Sequence, residues 1–366
     1  MLQGIWVVEF EGIGPAPFAA MMLAEMGASV TVIHRSRESA SPVQPDRSLL
    51  DRGKRSIVLN LKDHGDLDLA RELIARSDIL IEGLRPGVME RLGLGPAESH
   101  RNNPALVYGR MTGWGQTGLM AERAGHDLNY LALSGALWYA SRPGEAPVTP
   151  PTLLGDIGGG ALYLVAGVLA GFVRAKATGQ GTVVDAAIYD GSAHMMTLLM
   201  SLAQTGNLSD SRGQSLLDGP HWCRTYRCAD NGFISVQCLE PKFYAEFLSR
   251  LGLGDDPEFA APYDRQKWPD LTRRLEDLFA RRNRDDWAAL FDGSDACVAP
   301  VLSPSEAELH PMNSARMTWG KDEDMLCPAP APRFSGYDRN PGLRPCRDQH
   351  RQEILAELAR PDTGDC

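Results

Sequence analysis

Five short apolar runs in the first third of the chain, at 5–10, 29–33, 56–61, 78–81 and 105–108, are kept apart by helical stretches and loops. That alternation is the strongest constraint on the fold. Residues 17–26 carry Phe18, Met22 and Met26 on one helical face and stop at Gly27. Residues 66–76 are amphipathic, with Leu67, Ala70, Leu73 and Ile74 inward. Strands separated by helices return in parallel. The prediction is therefore an α/β fold, a Rossmann-like large domain with a parallel sheet covered on both faces. The pattern continues with an apolar helix from Gly160 to about Thr178, a strand over 182–188 and a Met-rich helix over 190–204. Arg174 and Lys176 sit at the cation-favouring end of the first of these helices, and Gly179 follows it.

The texture changes near Gly206. Residues 207–220 are polar and contain glycine, so they read as a linker. Residues 233–238 alternate like a half-buried strand. Helical patterns follow over 241–251, 271–281 and 285–291, and a last amphipathic helix covers 348–360. The predicted boundaries are 1–187 for the large domain, 188–220 for a linker helix and loop, and 221–324 for a smaller α+β domain. Residues 327–332 alternate proline with small residues and read as extended. No internal repeat is visible.

A net charge of −10 argues against nucleic acid as the main partner, although local cationic patches can still hold a small anion. The seven cysteines are odd in number and show no framework spacing, which favours reduced thiols and a cytoplasmic location. His221, Cys223, Cys228 and Cys238 match no zinc spacing, so no metal site is expected. The amino-terminal residues enter a strand directly and read as no signal peptide. The longest apolar run, 161–173, falls short of the ~20 residues a bilayer span needs, so no membrane insertion is expected. The last four residues, Thr363-Gly364-Asp365-Cys366, are no peroxisomal address or prenylation box.

Gly12-x-Gly14 follows the first strand, but Pro17 stands where a dinucleotide fingerprint has its third glycine. His34-Arg35 ends the second strand, with no acidic residue for a ribose hydroxyl. A tight turn without nicotinamide is the better reading. Arg52-Gly53-Lys54-Arg55 and the strand after it gather several cations. Charge alone divides that cluster evenly between a solvated strand edge and a site for a phosphorylated nucleotide. Arg35, Arg37 and Arg85 follow neighbouring strands and are placed to join it. The glycine-rich loop 112–118 follows the strand at 105–108, where open α/β sheets bind ligands.

Two segments thirty residues apart carry the chemistry. Gly125-His126-Asp127-Leu128-Asn129-Tyr130 and Gly155-Asp156-Ile157-Gly158-Gly159-Gly160 each set an ionisable group beside glycine at an expected helix start. Asp127 is a good N-cap for a helix over 128–133, and Asp156 for the helix that follows it. An imidazole, a carboxylate and helix-end N–H groups are what proton transfer next to a carbonyl needs. His194, among methionines, reads as packing.

These segments resemble the α-methylacyl-CoA racemases of the class III CoA-transferase superfamily. So do Asp51-Arg52-Gly53-Lys54-Arg55, Asn60-Leu61-Lys62, Ile81-Glu82-Gly83-Leu84-Arg85-Pro86-Gly87, Tyr226-Arg227-Cys228-Ala229-Asp230, Glu240-Pro241-Lys242-Phe243-Tyr244, Ala299-Pro300-Val301 and His310-Pro311-Met312-Asn313. The resemblance implies an intertwined homodimer in which the tail 325–366 completes the large, CoA-binding domain. It puts the two bases on His126 and Asp156, a supporting glutamate on Glu240, and Asp127 in the oxyanion-binding turn. It puts CoA contacts at Arg35 or Arg37, Leu59, Leu61, Lys62 and Arg85.

The reaction it implies is racemisation at C2 of 2-methyl-branched acyl-CoA thioesters, an isomerase activity in lipid metabolism. That chemistry calls for no cofactor beyond the CoA of the substrate. A CoA-transferase that uses Asp156 as nucleophile is the alternative. A CoA-binding protein without catalysis would have no use for both His126 and Asp156.

Overall fold

The computed structural model describes residues 1–36, 47–338 and 340–360. The chain divides into two compact units. The first comprises Met1–Leu137, Thr149–Met195 and Ala329–Cys366, and the second Trp138–Val148 and Met196–Pro328.

The first unit is built on six strands: β1 (Trp6–Phe10), β2 (Ser29–His34), β3 (Arg55–Val58), β4 (Ile79–Glu82), β5 (Val107–Thr112) and β6 (Thr182–Ala187). All pair in parallel, in the order β3-β2-β1-β4-β5-β6. The four inner strands β2, β1, β4 and β5 are almost wholly buried, as a parallel sheet covered on two faces requires, and the edge strand β6 is half exposed. Helices α1 (Pro15–Glu25) and α2 (His64–Ala75) follow β1 and β3. Between β4 and β5 lie α3 (Val88–Arg91) and α4 (Pro96–Asn102), two short helices that carry too few apolar positions to show a period. Ala19, Ala20 and Leu23 of α1 enter the core on one face, with Val7, Val30 and Ile79 of the strands. Ala70, Leu73 and Ile74 of α2 enter the core on the other, with Val8, Ile57 and Leu80.

Before β6, the π-helical segment Leu153–Ala161 runs into α6 (Leu162–Thr178). Together they make a continuous helix of 26 residues, long and apolar enough by length and composition to cross a membrane. It outruns the apolar stretch at 161–173 because the π-helical turns precede it. Leu164, Val165 and Val168 lie in the core of this unit, the position of a helix packed on its sheet. The single Met-rich helix expected over 190–204 is instead α7 (Ile188–Met195), α8 (Thr197–Ser201) and a 3₁₀ turn. The break coincides with the boundary between the units at Met195.

The second unit holds an antiparallel sheet, β7 (Cys223–Arg227), β8 (Phe233–Gln237) and β9 (Val298–Val301). Pro300 sits in the edge strand β9, where a missing donor costs no ladder bond. Helices α9 (Pro241–Leu251), α10 (Trp268–Phe279) and α11 (Arg284–Phe291) supply an aromatic core with the sheet. Tyr226 stacks on Phe279 with ring centroids 4.9 Å apart, and Phe247 on Phe291 at 5.8 Å. His221 is packed inside this core 2.8 Å from the Tyr244 hydroxyl. Its burial pushes the imidazole down to about 3, so it is neutral. Among the described residues, no group of three or more His, Cys, Asp or Glu is placed to hold a metal ion.

Candidate active site

The site is assembled at the carboxyl ends of the parallel strands. β5 ends at Thr112 and the chain turns through Gly113 and Trp114. It comes back at Gly125 to start helix α5 (Asp127–Ser134). Tyr130 of α5 fits between the two arms of that loop. Its hydroxyl donates to the Gly125 carbonyl, and its ring meets Trp114 edge-on at 4.8 Å. A Cβ at Gly113 would stand 2.1 Å from two carbons of the Tyr130 ring, so only glycine allows this approach. The backbone just before His126 is thereby fixed.

His126 is the N-cap of α5, with extended backbone, and Asp127 is the first helical residue. This corrects the expectation that Asp127 caps the helix. The His126 N–H donates to Asn129 Oδ1 at 3.0 Å, and the Asn129 N–H donates back to the His126 carbonyl at 2.8 Å. The imidazole is left on the loop side of the helix start. There it lines a cavity of about 250 Å³ together with Leu84, Arg85, Met111, Trp114 and Tyr130.

Asp156 also departs from expectation. It is no N-cap, because it lies inside the π-helical segment Leu153–Ala161, entered through Thr152 in a left-handed conformation. Wide π-helical turns are rare and are frequently found at functional sites. Asp127 Oδ1 accepts the Asp156 N–H at 2.8 Å. A Cβ on Gly155 would clash with that same oxygen, so the bond depends on glycine there. Asp127 is 6% exposed, and its Oδ2 has no partner among the described residues. The Asp156 carboxylate faces the β1–α1 turn, with Oδ2 3.9 Å from where a Gly14 Cβ would stand. Burial, with the Asp127 charge adding to it and His126 opposing, pushes the Asp156 carboxyl up to about 6. A carboxyl in that range both accepts and gives up a proton near neutrality.

A larger cavity, of about 430 Å³, opens at the ends of β2, β3 and β4. Arg35, Leu59, Leu61, Lys62 and Arg85 all line it, with Ser36, Asn60, Leu84, Val88 and Leu92. Arg37 falls outside the described residues. Leu84 and Arg85 line both cavities, so the two adjoin at the loop after β4. Sequence reasoning missed what holds that loop. Arg110 on β5, 6% exposed, donates to Glu82 at 2.9 Å and to both oxygens of Glu90 at 2.7 and 3.2 Å. Glu82 Oε2 accepts the Leu84 N–H at 2.7 Å. The apolar–charged–apolar texture of β4 and β5 was the available signal. Glu240 belongs to the second unit, where it is the exposed N-cap residue of α9.

These features define a doubly wound α/β protein with an imidazole and a raised-pKa carboxylate beside a cation-rimmed cavity. The family model for CoA-transferase family III matches residues 2–348. The chain is 40% identical over 361 residues to the human alpha-methylacyl-CoA racemase and 38% identical to the mouse one, covering 98% of this chain and 93% of each relative. It is 29% identical over 380 residues to the acetyl-CoA:oxalate CoA-transferase of Acetobacter aceti, covering 98% of this chain and 96% of that one. A CAIB/BAIF family protein from Brucella suis, 25% identical, superposes with a TM-score of 0.82 over 97% of this chain and 98% of its own. The chain belongs to CoA-transferase family III.

The coupling of the two carboxylates is measurable. In an NMR titration of carboxyl-labelled aspartate, Asp156 is expected to titrate near 6. Asp127→Asn keeps an oxygen for the Asp156 N–H but removes a like charge, so the midpoint moves to lower pH. A midpoint that stays or rises contradicts the coupling.

Proposed function

We propose that this protein is an isomerase that racemises C2 of 2-methyl-branched acyl-CoA thioesters by moving a proton between two bases, His126 and Asp156. The observation that carries the reading is the join of their two segments through the Asp127–Asp156 hydrogen bond, next to His126, which lines the cavity of the loop after β5. The near-full-length likeness to two racemases supports it.

A thioester C2–H is a weak acid. When one base removes the proton, the bonding pair becomes the C1–C2 double bond of an enolate and the charge moves to oxygen. The first N–H groups of α5, at Asp127 and Leu128, are suited to hold that oxygen. The conjugate acid of the other base then protonates C2 on the opposite face, and the centre is inverted. Asp156, with its carboxyl near 6, serves one face, and His126 serves the other, supported in this reading by Glu240. Arg35, Leu59, Leu61, Lys62 and Arg85 hold the CoA portion, with Arg37 as a further candidate.

CoA transfer with Asp156 as nucleophile is the second reading, favoured by the likeness to the Acetobacter enzyme. It gives His126 no proton to carry. The proposed setting is lipid metabolism in the cytoplasm. One enantiomer of a 2-methylacyl-CoA, incubated with enzyme in deuterated water, is expected to convert to both enantiomers with deuterium at C2. CoA passing to a free carboxylic acid without exchange at C2 would sink the racemase reading.

The proposed assembly is an intertwined homodimer. It rests on the family resemblance and on an apolar stripe along α6, where Leu162, Ala166, Ala170 and Val173 are all exposed. These positions recur at helical spacing, and a second copy would remove them from water. Sedimentation equilibrium is expected to give twice the chain mass of 39.9 kDa at every concentration with activity. An active species of one chain mass contradicts the assembly.

A further inference from the structure

The carboxyl-terminal tail lies along β3, the edge strand of the parallel sheet. Its side chains and backbone meet groups that no neighbouring strand takes. Val58 N–H donates to Asp348 Oδ1 at 2.7 Å, Ser56 N–H to His350 Nδ1 at 3.1 Å, and His350 N–H to the Ser56 carbonyl at 3.0 Å. This anchoring delivers Arg347 to the carboxyl ends of β1 and β2.

There Arg347 forms a bidentate pair with Glu11, at 2.5 and 3.3 Å. Both side chains are buried, 8% and 7% exposed. Glu11 Oε1 also lies 3.0 Å from His34 Nδ1. The same pair takes hold of the next residue. Glu11 Oε2 accepts the Arg35 N–H at 2.9 Å, and Arg347 donates to the Arg35 carbonyl at 2.6 Å. Each backbone polar group of Arg35 is thus held by one member of a buried ion pair. The Arg35 side chain itself is exposed and lines the 430 Å³ cavity.

Holding both groups fixes the backbone at Arg35 and so the direction of its Cα–Cβ bond. An arginine has rotamer entropy to lose on binding a phosphate, and a fixed root narrows the arc it searches. The bidentate geometry matters here. The guanidinium fork reaches two Glu11 oxygens and a carbonyl at once, which an ammonium cannot do from one position.

We propose that Glu11 and Arg347 form a clamp that positions Arg35 for the phosphate groups at the nucleotide end of the thioester. This rests on reading the larger cavity as the CoA site. Arg347 is then a positioning residue, contributed from the far end of the chain, and its effect reaches the substrate only through Arg35.

The test compares full-length wild type, Arg35→Ala, Arg347→Ala, Arg347→Lys and Arg35→Ala/Arg347→Ala. Each is assayed with a 2-methylacyl-CoA and with the same acyl group on pantetheine, which lacks the nucleotide. Arg347→Ala is expected to raise KM for the CoA thioester about tenfold, with kcat within about twofold, and to leave KM for the pantetheine thioester unchanged. Arg347→Lys should recover only part of the loss, and the double variant should be no worse than Arg35→Ala.

Should Arg347→Ala fail to fold, Glu11→Gln is expected to show the same CoA-selective rise in KM. A loss shared equally by both substrates would make the pair purely structural and overturn the clamp. So would full additivity in the double variant. If Arg35→Ala is CoA-selective and Arg347→Ala is not, the clamp fails and the CoA site stands. If Arg35→Ala does not distinguish the two substrates, the nucleotide reading of the cavity fails and takes the clamp with it.

Discussion

One hydrogen bond joins the two halves of the candidate site. Asp127 Oδ1 accepts the Asp156 backbone N–H at 2.8 Å, tying the start of α5 to the π-helical segment before α6. The bond has a carboxylate acceptor and is nearly buried, so it belongs to the stronger class of about 1.5–3 kcal/mol. Burial raises the Asp156 carboxyl to about 6, and the Asp127 charge that comes with this bond adds to the rise. The same contact therefore sets the position of one base and adds to the shift of its titration toward neutrality. The accepting oxygen stands where a Gly155 Cβ would clash with it, so the contact also requires glycine at that position.

The rest of the first unit builds outward from the carboxyl ends of the strands. The reversal in strand order between β1 and β4 opens the crevice that doubly wound sheets use for ligands. Around it, buried ion pairs hold loops. Arg110 with Glu82 and Glu90 shapes the loop of Leu84 and Arg85, which walls both cavities. Lys54, 3% exposed, pairs with Glu9 at 2.5 Å beneath the β1–α1 turn. Charges are thus spent inside this unit on positioning backbone. Removing one partner would strand the other in a low-dielectric site, which is far more costly than the pair is stabilising.

Much of this was legible in the residues. The period-3.6 and apolar runs of the first third locate all five of its strands and α1 and α2, because those elements repeat their pattern over enough residues to show it. Arg35, Leu59, Leu61, Lys62 and Arg85, which charge and resemblance picked out, line one cavity. The cations of 52–55 and of the strand after it did not stay together as one group. Arg52 pairs with Glu25 and Lys54 with Glu9, inside the protein, while Lys62 lines the cavity. Sequence cannot tell a buried cation from an exposed one when the partner lies far along the chain. For the same reason Arg347 and Arg110 went unseen. The π-helical segment was hidden too, since Gly155 and the run of glycines after Asp156 mimic a capped helix start. In the second unit, β7 and β9 are short and carry arginine or proline, which masks the strand pattern.

The central claim is that His126 and Asp156 serve opposite faces of one enolate. The most direct test follows residual exchange in His126→Ala and Asp156→Asn, each given separate enantiomers of a 2-methylacyl-CoA in deuterated water. Loss of a general base costs about 10² to 10⁴-fold, and both variants are expected to lose racemisation at that scale. Each should still wash deuterium into one enantiomer through the base that remains, and the favoured enantiomer should differ between them. The same preference in both variants, or racemisation near the normal rate in either, would contradict the assignment of two bases to two faces.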